Sequence, residues 1–409
     1  MTIKFNYKIS IDKKTVLNRI GLTLFIIACA RLGTYIPIPW IDQEFLYEEL
    51  KNSQFVNFFS SFSQGDYFIV SILTLGILPN INASIIIQLL RSVFPYLQRL
   101  QKKEGEFGRR KILQITRYLT VLLSLLYGFS IAFYIKPFVF GWSLLKAAEI
   151  SILLTIGAVI MLWFSEIIDK YGLGNGSSLF IIVNISSSLP AISRNFNSLD
   201  NKLLQFFLII SFIIGICSVV LIQSAVRQLL VVSIKTLKLW VDVPIMMSSF
   251  LSLRVNVGGV MPLIFTATLV NGISILFGIM NININQYTYL LIYFVLTLLF
   301  SYLYSTVVVD PNDVADDLDS WSFNLPDVSP GLETILYLGK LLNRLALLGG
   351  LFLALGVTLP TLFASLNPNL SSFQGARITA LFILVGVTLD LIRKIRTFKI
   401  VESYDKIEM

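Results

Sequence analysis

The residues able to do chemistry in this 409-residue chain are few, and their placement narrows what that chemistry is. Histidine is absent, which removes the commonest general base and the commonest metal ligand. Intramembrane hydrolysis needs a Ser/His pair, paired aspartates or an HExxH helix, and none of these can be assembled inside the apolar stretches. The Gly-rich run GLGNGSS at 172–178 has no strand signal before it and no lysine after it, so it lacks the marks of a phosphate-binding loop. Cys29 and Cys217 sit in apolar runs and read as buried small hydrophobes. Ion-coupled transporters bury several ionisable groups, whereas Arg31 and Glu166 are nearly alone here, both close to the ends of apolar runs.

What remains is polar and uncharged. The run FIVSILTLGILPNINASIIIQLL at 68–90 carries Asn80, Asn82, Ser84 and Gln88 in its middle, next to a Pro-Asn pair that unwinds or kinks a helix. Such groups serve either as hydrogen-bonding glue between helices or as the lining of a cavity or pore. Before it, QFVNFFSSFSQGDY at 54–67 is aromatic, amphipathic and too short to cross a bilayer. It reads as an interfacial helix or as a half-helix folded back into the protein.

The elements that position these residues follow from composition. The chain is 55% hydrophobic and 14% charged, against about 25% charged in soluble domains, and its mean hydropathy is +0.77. That excludes an aqueous globular fold and a disordered chain. A bilayer span takes about 20 apolar residues. Ten runs qualify, at roughly 17–36, 68–90, 113–135, 147–168, 177–192, 203–224, 257–279, 287–309, 334–363 and 373–392. They are too continuous for the alternating pattern of a β-barrel, so the expectation is an all-α integral membrane protein. The fifth run is short, and the ninth is long and interrupted by glycines 349, 350 and 356. The polar opening MTIKFNYKISIDKKT leads into a full span and does not fit a cleavable signal.

Orientation comes from the basic residues. Segments 1–20, 91–117 and 225–256, the turn at 166–175, the entry to the ninth run and the tail at 391–409 lie on one side and hold 25 of the 32 Lys and Arg residues. By the positive-inside rule that side is cytosolic, or its organellar equivalent. The loop at 310–333 is on the same side, yet is wholly acidic. The basic loop at 91–117 suits an anionic lipid, an acidic partner or an RNA-bearing one. Ten runs divide into halves of five with opposite orientation, 1–202 and 203–409, an arrangement that builds a site near the midplane.

Several stretches, in order along almost the whole chain, resemble the SecY family, the channel subunit of the Sec protein translocon. They are RLGTYIPIP (31–39), LGILPNINASIIIQLL (75–90), KKEGEFGRRKILQITRYLT (102–120), SEIIDKYGLGNGSSL (165–179), RVNVGGVMPLIF (254–265), DPNDVADDL (310–318), LNRLALLGGLFLAL (342–355) and VGVTLD (385–390). SFSQGDYF (61–68), IKPFVF (135–140) and AVRQLLVVSIK (225–235) most resemble plastid-encoded members.

The resemblance implies two pseudo-symmetric five-helix halves around a central pore, closed by a ring of isoleucines. Matched residue by residue, that ring is Ile81, Ile85, Ile181, Ile264 and Ile383. It implies a plug at 54–67 with Phe55, Val56, Phe58, Phe59 and Phe62, and a lateral gate with Asn82, Ser84, Gln88, Thr268 and Asn271. In that gate the second and seventh helices face the third and eighth. Arg109, Arg110, Arg227, Lys235 and Arg254 are the implied cytosolic docking residues.

The implied partners are a SecE-like small subunit, a SecG-like subunit, a SecA-like ATPase, the ribosome, unfolded precursors and membrane lipid, with no cofactor and no enzymatic step. The implied location is the thylakoid membrane, the alternative a bacterial plasma membrane. One departure stands out: where the family usually has a basic residue before Pro-Gly in the loop at 310–333, this chain has Ser329 before Pro330-Gly331. That favours, as an alternative function, a membrane-protein insertase or assembly scaffold. A secondary transporter is disfavoured by the scarcity of buried charge.

Overall fold

The computed structural model describes residues 13–50, 70–197, 202–233, 249–279, 286–326, 328–366, 382–393 and 395–396. The plug segment at 54–67 and Lys235 lie outside them. Helices are α1 (Lys13–Gly33), α2 (Gln43–Leu50), α3 (Leu78–Val93), α4 (Pro95–Lys103), α5 (Gly105–Tyr134), α6 (Leu144–Tyr171), α7 (Gly176–Asn197), α8 (Lys202–Ser224), α9 (Met261–Ile279), α10 (Gln286–Val308), α11 (Pro311–Ser320), α12 (Leu332–Leu366) and α13 (382–393). Four helical stretches among the described residues are long and apolar enough to cross a membrane: Gly105–Tyr134, Leu144–Tyr171, Tyr287–Ser320 and Leu332–Leu362.

Helix α6 shows why such helices belong in lipid. Its inward stripe, including Ile150, Leu154, Ala158 and Met161, is buried, but its outward stripe of Ile152, Ile156, Ile160 and Trp163 is apolar as well. A surface helix in water would be polar on that side.

The chain forms two compact units. The first comprises 1–83, 116–191 and 387–409. Here α1 packs on α6, and the segment after α1 is stitched to the entry of α3. The Ile38 N–H donates to the Val70 carbonyl at 3.0 Å and the Ile72 N–H to the Ile36 carbonyl at 3.2 Å. The Gln43 side chain grips Val70 on both sides, accepting from its N–H at 2.9 Å and donating to its carbonyl at 3.2 Å.

The second apolar run is not one continuous helix. Residues 72–77 are turns, with Gly76 in the left-handed region (φ 53°), and α3 begins only at Leu78, where Pro79 fits a first helical turn.

The second unit comprises 84–115 and 192–386. In it α12 packs against α10, α11 and α8, and α9 against α10. Helix α12 runs unbroken for 35 residues, so its glycines do not interrupt it as expected. They admit neighbours instead: a Cβ on Gly350 would lie 2.9 Å from the Ser301 Cβ, and one on Gly349 3.0 Å from the Val255 carbonyl oxygen.

The loops of this unit depart from the all-helical expectation. Strand β1 (Val226–Ser233) pairs antiparallel with β2 (Ser249–Arg254), Leu229 opposite Leu251, and with β3 (Phe323–Asn324), giving the order β2-β1-β3. Alternation puts Leu229, Val231 and Leu253 on one face, in a core with Leu318 of α11 and Leu338 and Leu342 of α12. The acidic loop thus contains a helix, α11, started by Asp310, whose carboxylate accepts the Asn312 N–H at 3.0 Å, and by Pro311.

Candidate functional site

All five isoleucines matched to the ring are buried, none more than 4% exposed. Ile81 stands in the first turns of α3, Ile85 one turn on, Ile181 in α7, Ile264 in α9 and Ile383 in α13. Ile85 shares a small apolar cleft with Met261, Pro262 and Phe265 of α9 and Phe300 of α10, and the rings of Phe265 and Phe300 meet edge to face at 4.6 Å. Among the described side chains of α7, Phe180, Ile181, Asn184 and Ile185 are buried, one stripe at helical spacing that continues from buried Gly176.

The matched gate residues are polar groups on α3 and α9. Asn82 is buried, and its side-chain amide donates to the Tyr127 hydroxyl of α5 at 3.0 Å. Both residues belong to the first unit, where the bond ties the start of α3 to α5. The Thr120 hydroxyl of α5 lies 3.5 Å from the Asn80 side-chain oxygen, at the limit of a hydrogen bond. Ser84 is exposed and Gln88 half-buried. The Thr268 hydroxyl donates to the Phe265 carbonyl at 2.8 Å, one turn back along α9. Asn271 lies in α9, but its side chain is outside the described residues.

Among the docking residues, Arg109, Arg110, Arg227 and Arg254 are exposed. Arg110 pairs with Glu106 at 3.5 Å one turn back, a contact too exposed to hold it firmly. The hairpin brings Arg227 and Arg254 to neighbouring strands, Arg254 opposite Val226 and Arg227 opposite Leu253.

The Gly-rich run closes the turn between α6 and α7. Gly174 has φ 94°; the Asp169 carboxylate accepts the Gly176 N–H at 2.8 Å and the Asn175 side chain the Ser177 N–H at 3.1 Å. Donors that a phosphate would need at this helix start are thus directed at the protein's own side chains.

Four contacts went unseen in the sequence. Tyr127 is the partner of Asn82; its only signal was a phenol inside an apolar run. Arg117 and Glu166 form a bidentate pair between α5 and α6 at 2.6 and 2.7 Å. Arg31 of α1 donates to the Val183 carbonyl of α7. Ser329, standing where a basic residue was expected, donates to the Glu333 carboxylate at 2.6 Å.

Long apolar helices, with an apolar outward stripe on α6, define a helical membrane protein. Residues 71–392 match the SecY family profile. A protein named protein translocase subunit SecY, from Guillardia theta, is 38% identical, over 97% of this chain and 98% of that one. In fold, the chain is similar to the structure described as that of a protein conducting channel (TM-score 0.66, 15% identity, 96% of this chain and 94% of that one). It is also similar to Sec61 in the canine ribosome-channel complex from the endoplasmic reticulum (TM-score 0.62, 15% identity, the same coverage). This chain belongs to the SecY family.

Proposed function

We propose that the chain is the central pore-forming subunit of a Sec translocon, conducting unfolded polypeptides across the membrane and releasing hydrophobic segments sideways into lipid. The observation that carries this reading is the match, nearly end to end, to a relative named protein translocase subunit SecY. In the proposed architecture ten spans form two halves, 1–202 and 203–409, around a pore. Ile81, Ile85, Ile181, Ile264 and Ile383 form its constriction, and 54–67 its plug.

The physics suits the residues. β-Branched side chains are stiff at χ1, and an apolar ring dewets, blocking ions while parting around an extended chain. Asn82, Ser84, Gln88, Thr268 and Asn271 then stand at the lateral gate, and Arg109, Arg110, Arg227, Lys235 and Arg254 offer positive charge to cytosolic partners.

The channel is passive, so a SecA-like ATPase or a translating ribosome drives it, beside a SecE-like and a SecG-like subunit. The host membrane is the thylakoid on this reading. The test is reconstitution with a SecA-like ATPase, ATP and a presequence-bearing precursor. Protease-protected precursor is expected; insertion of membrane proteins with no protected precursor overturns the translocation reading. That second outcome defines an insertase, which one feature favours: the acidic loop directs Ser329 to Glu333 and offers no cation there.

A further inference from the structure

Arg31 is the residue this account leaves without a role. It stands in the last turn of α1, away from the side to which the sequence assigns 25 of the 32 basic residues. A permanent cation there opposes the charge gradient that orients the chain. A helix C-terminus favours any basic residue and does not select one that reaches another helix. Charged groups within spans are retained for a function and are read through their partners.

The partner here is a backbone carbonyl. The Arg31 guanidinium donates to the Val183 carbonyl in the middle of α7 and borders a cavity of about 10 Å³ with Thr34, Leu73, Met161, Phe180 and Asn184. Val183 is two residues from Ile181 and adjoins buried Asn184. The same turn takes a second side-chain donor, since the Ser187 hydroxyl bonds the Asn184 carbonyl at 2.6 Å. Hydroxyls bonded back to helix carbonyls bend and soften a helix, and the serines at 186–188 are weak helix formers. A rigid, forked donor anchored on α1 counters that softness at the turn that carries Ile181.

We propose that Arg31 is a positioning residue for the constriction: by holding the Val183 carbonyl it fixes the turn of α7 that presents Ile181 to the pore. This rests on the reading of Ile181 as a ring member, and the experiment separates the two. Full-length channels, purified with their co-assembling subunits and placed in proteoliposomes, are compared for ion leak in the idle state, per folded channel, beside their thermal midpoints. I181G should leak, R31Q should leak about tenfold above wild type, equivalent to about 1.4 kcal/mol, and R31K, keeping one donor, should lie between.

A merely structural role would lower the midpoint and the amount of R31Q without raising leak per folded channel. A tight R31Q beside a leaking I181G overturns the positioning role alone. A tight I181G overturns the ring reading and this proposal with it. Where R31Q does not accumulate, R31K decides: excess leak supports the proposal and wild-type tightness overturns it.

Discussion

Gly157→Ala should destabilise the protein by more than a single methyl group suggests. A Cβ at Gly157 of α6 would lie 1.9 Å from the Ile72 carbonyl oxygen and 2.7 Å from its carbonyl carbon. Real Cβ atoms keep at least 3.0 Å, so the backbone at Ile72 must withdraw by about 1.1 Å, or α6 must tilt away. Neither is free to yield. Ile72 is bonded through its N–H to Ile36 at 3.2 Å, and buried Ser71 and Thr74 are tied to each other on either side of it.

Overpacking of this kind costs about 1–3 kcal/mol, and a strained or lost Ile72–Ile36 bond adds about 0.5–1.5 kcal/mol. Alanine's better helix propensity returns up to about 1 kcal/mol, leaving a net loss of roughly 1–3 kcal/mol. Gly21→Ala is the control, since no atom lies within 4 Å of its added Cβ; it should be neutral or stabilising. Thermal scans in detergent at fixed protein concentration measure both variants. A Gly157→Ala midpoint at or above the Gly21→Ala midpoint would refute the reasoning.

Two more outcomes follow from hydrogen bonds. Ser329→Ala takes the 2.6 Å bond from the Glu333 carboxylate, so limited proteolysis around 328–333 at neutral pH should be faster in the variant than in wild type, and equal rates would sink the idea. Tyr127→Phe takes the 3.0 Å bond from buried Asn82, at about 1–3 kcal/mol. Combined with Asn82→Leu, which should itself alter signal-sequence stringency, its cost should be less than additive by at least about 0.5 kcal/mol in a double-mutant cycle.

The apolar runs were legible because lipid imposes a simple requirement, about 20 residues with little charge, and among the described residues helices α5, α6, α10 and α12 answer it directly. The interruption near Pro79 was legible too, though not that residues 72–77 would be turns and the helix would begin only at Leu78. The sheet was not, because its pairings depend on distant partners: Val232 meets Asn324 across most of the second unit. An apolar stretch such as VRQLLVVS reads equally well as part of a helix. The contacts of Tyr127 and Arg31 escaped notice for a related reason. Their types were visible, but their value lies in an atom on another helix, and no periodicity within one helix reports that. Ser329 was seen as a missing cation, whereas its hydroxyl has a use of its own.

The distribution of polar bonds suits a protein whose helices must part. In the second unit the hydroxyls of Thr266, Thr297, Thr358 and Thr361 donate to carbonyls three or four residues back, so each helix carries that bond with it when it moves. In the first unit several polar groups cross between helices instead: Asn82 to Tyr127, Ser151 to the Leu125 carbonyl at 3.1 Å, Arg117 to Glu166 and Arg31 to Val183. Breaking a cross-helix bond in lipid strands a donor or acceptor and costs about 1–3 kcal/mol, whereas sliding a helix whose hydroxyls bond within it costs almost nothing in these terms. The cross-helix bonds named in the first unit therefore tie its helices to one another, whereas the hydroxyl bonds of Thr266, Thr297, Thr358 and Thr361 add no such tie and leave apolar packing as what those side chains contribute between helices.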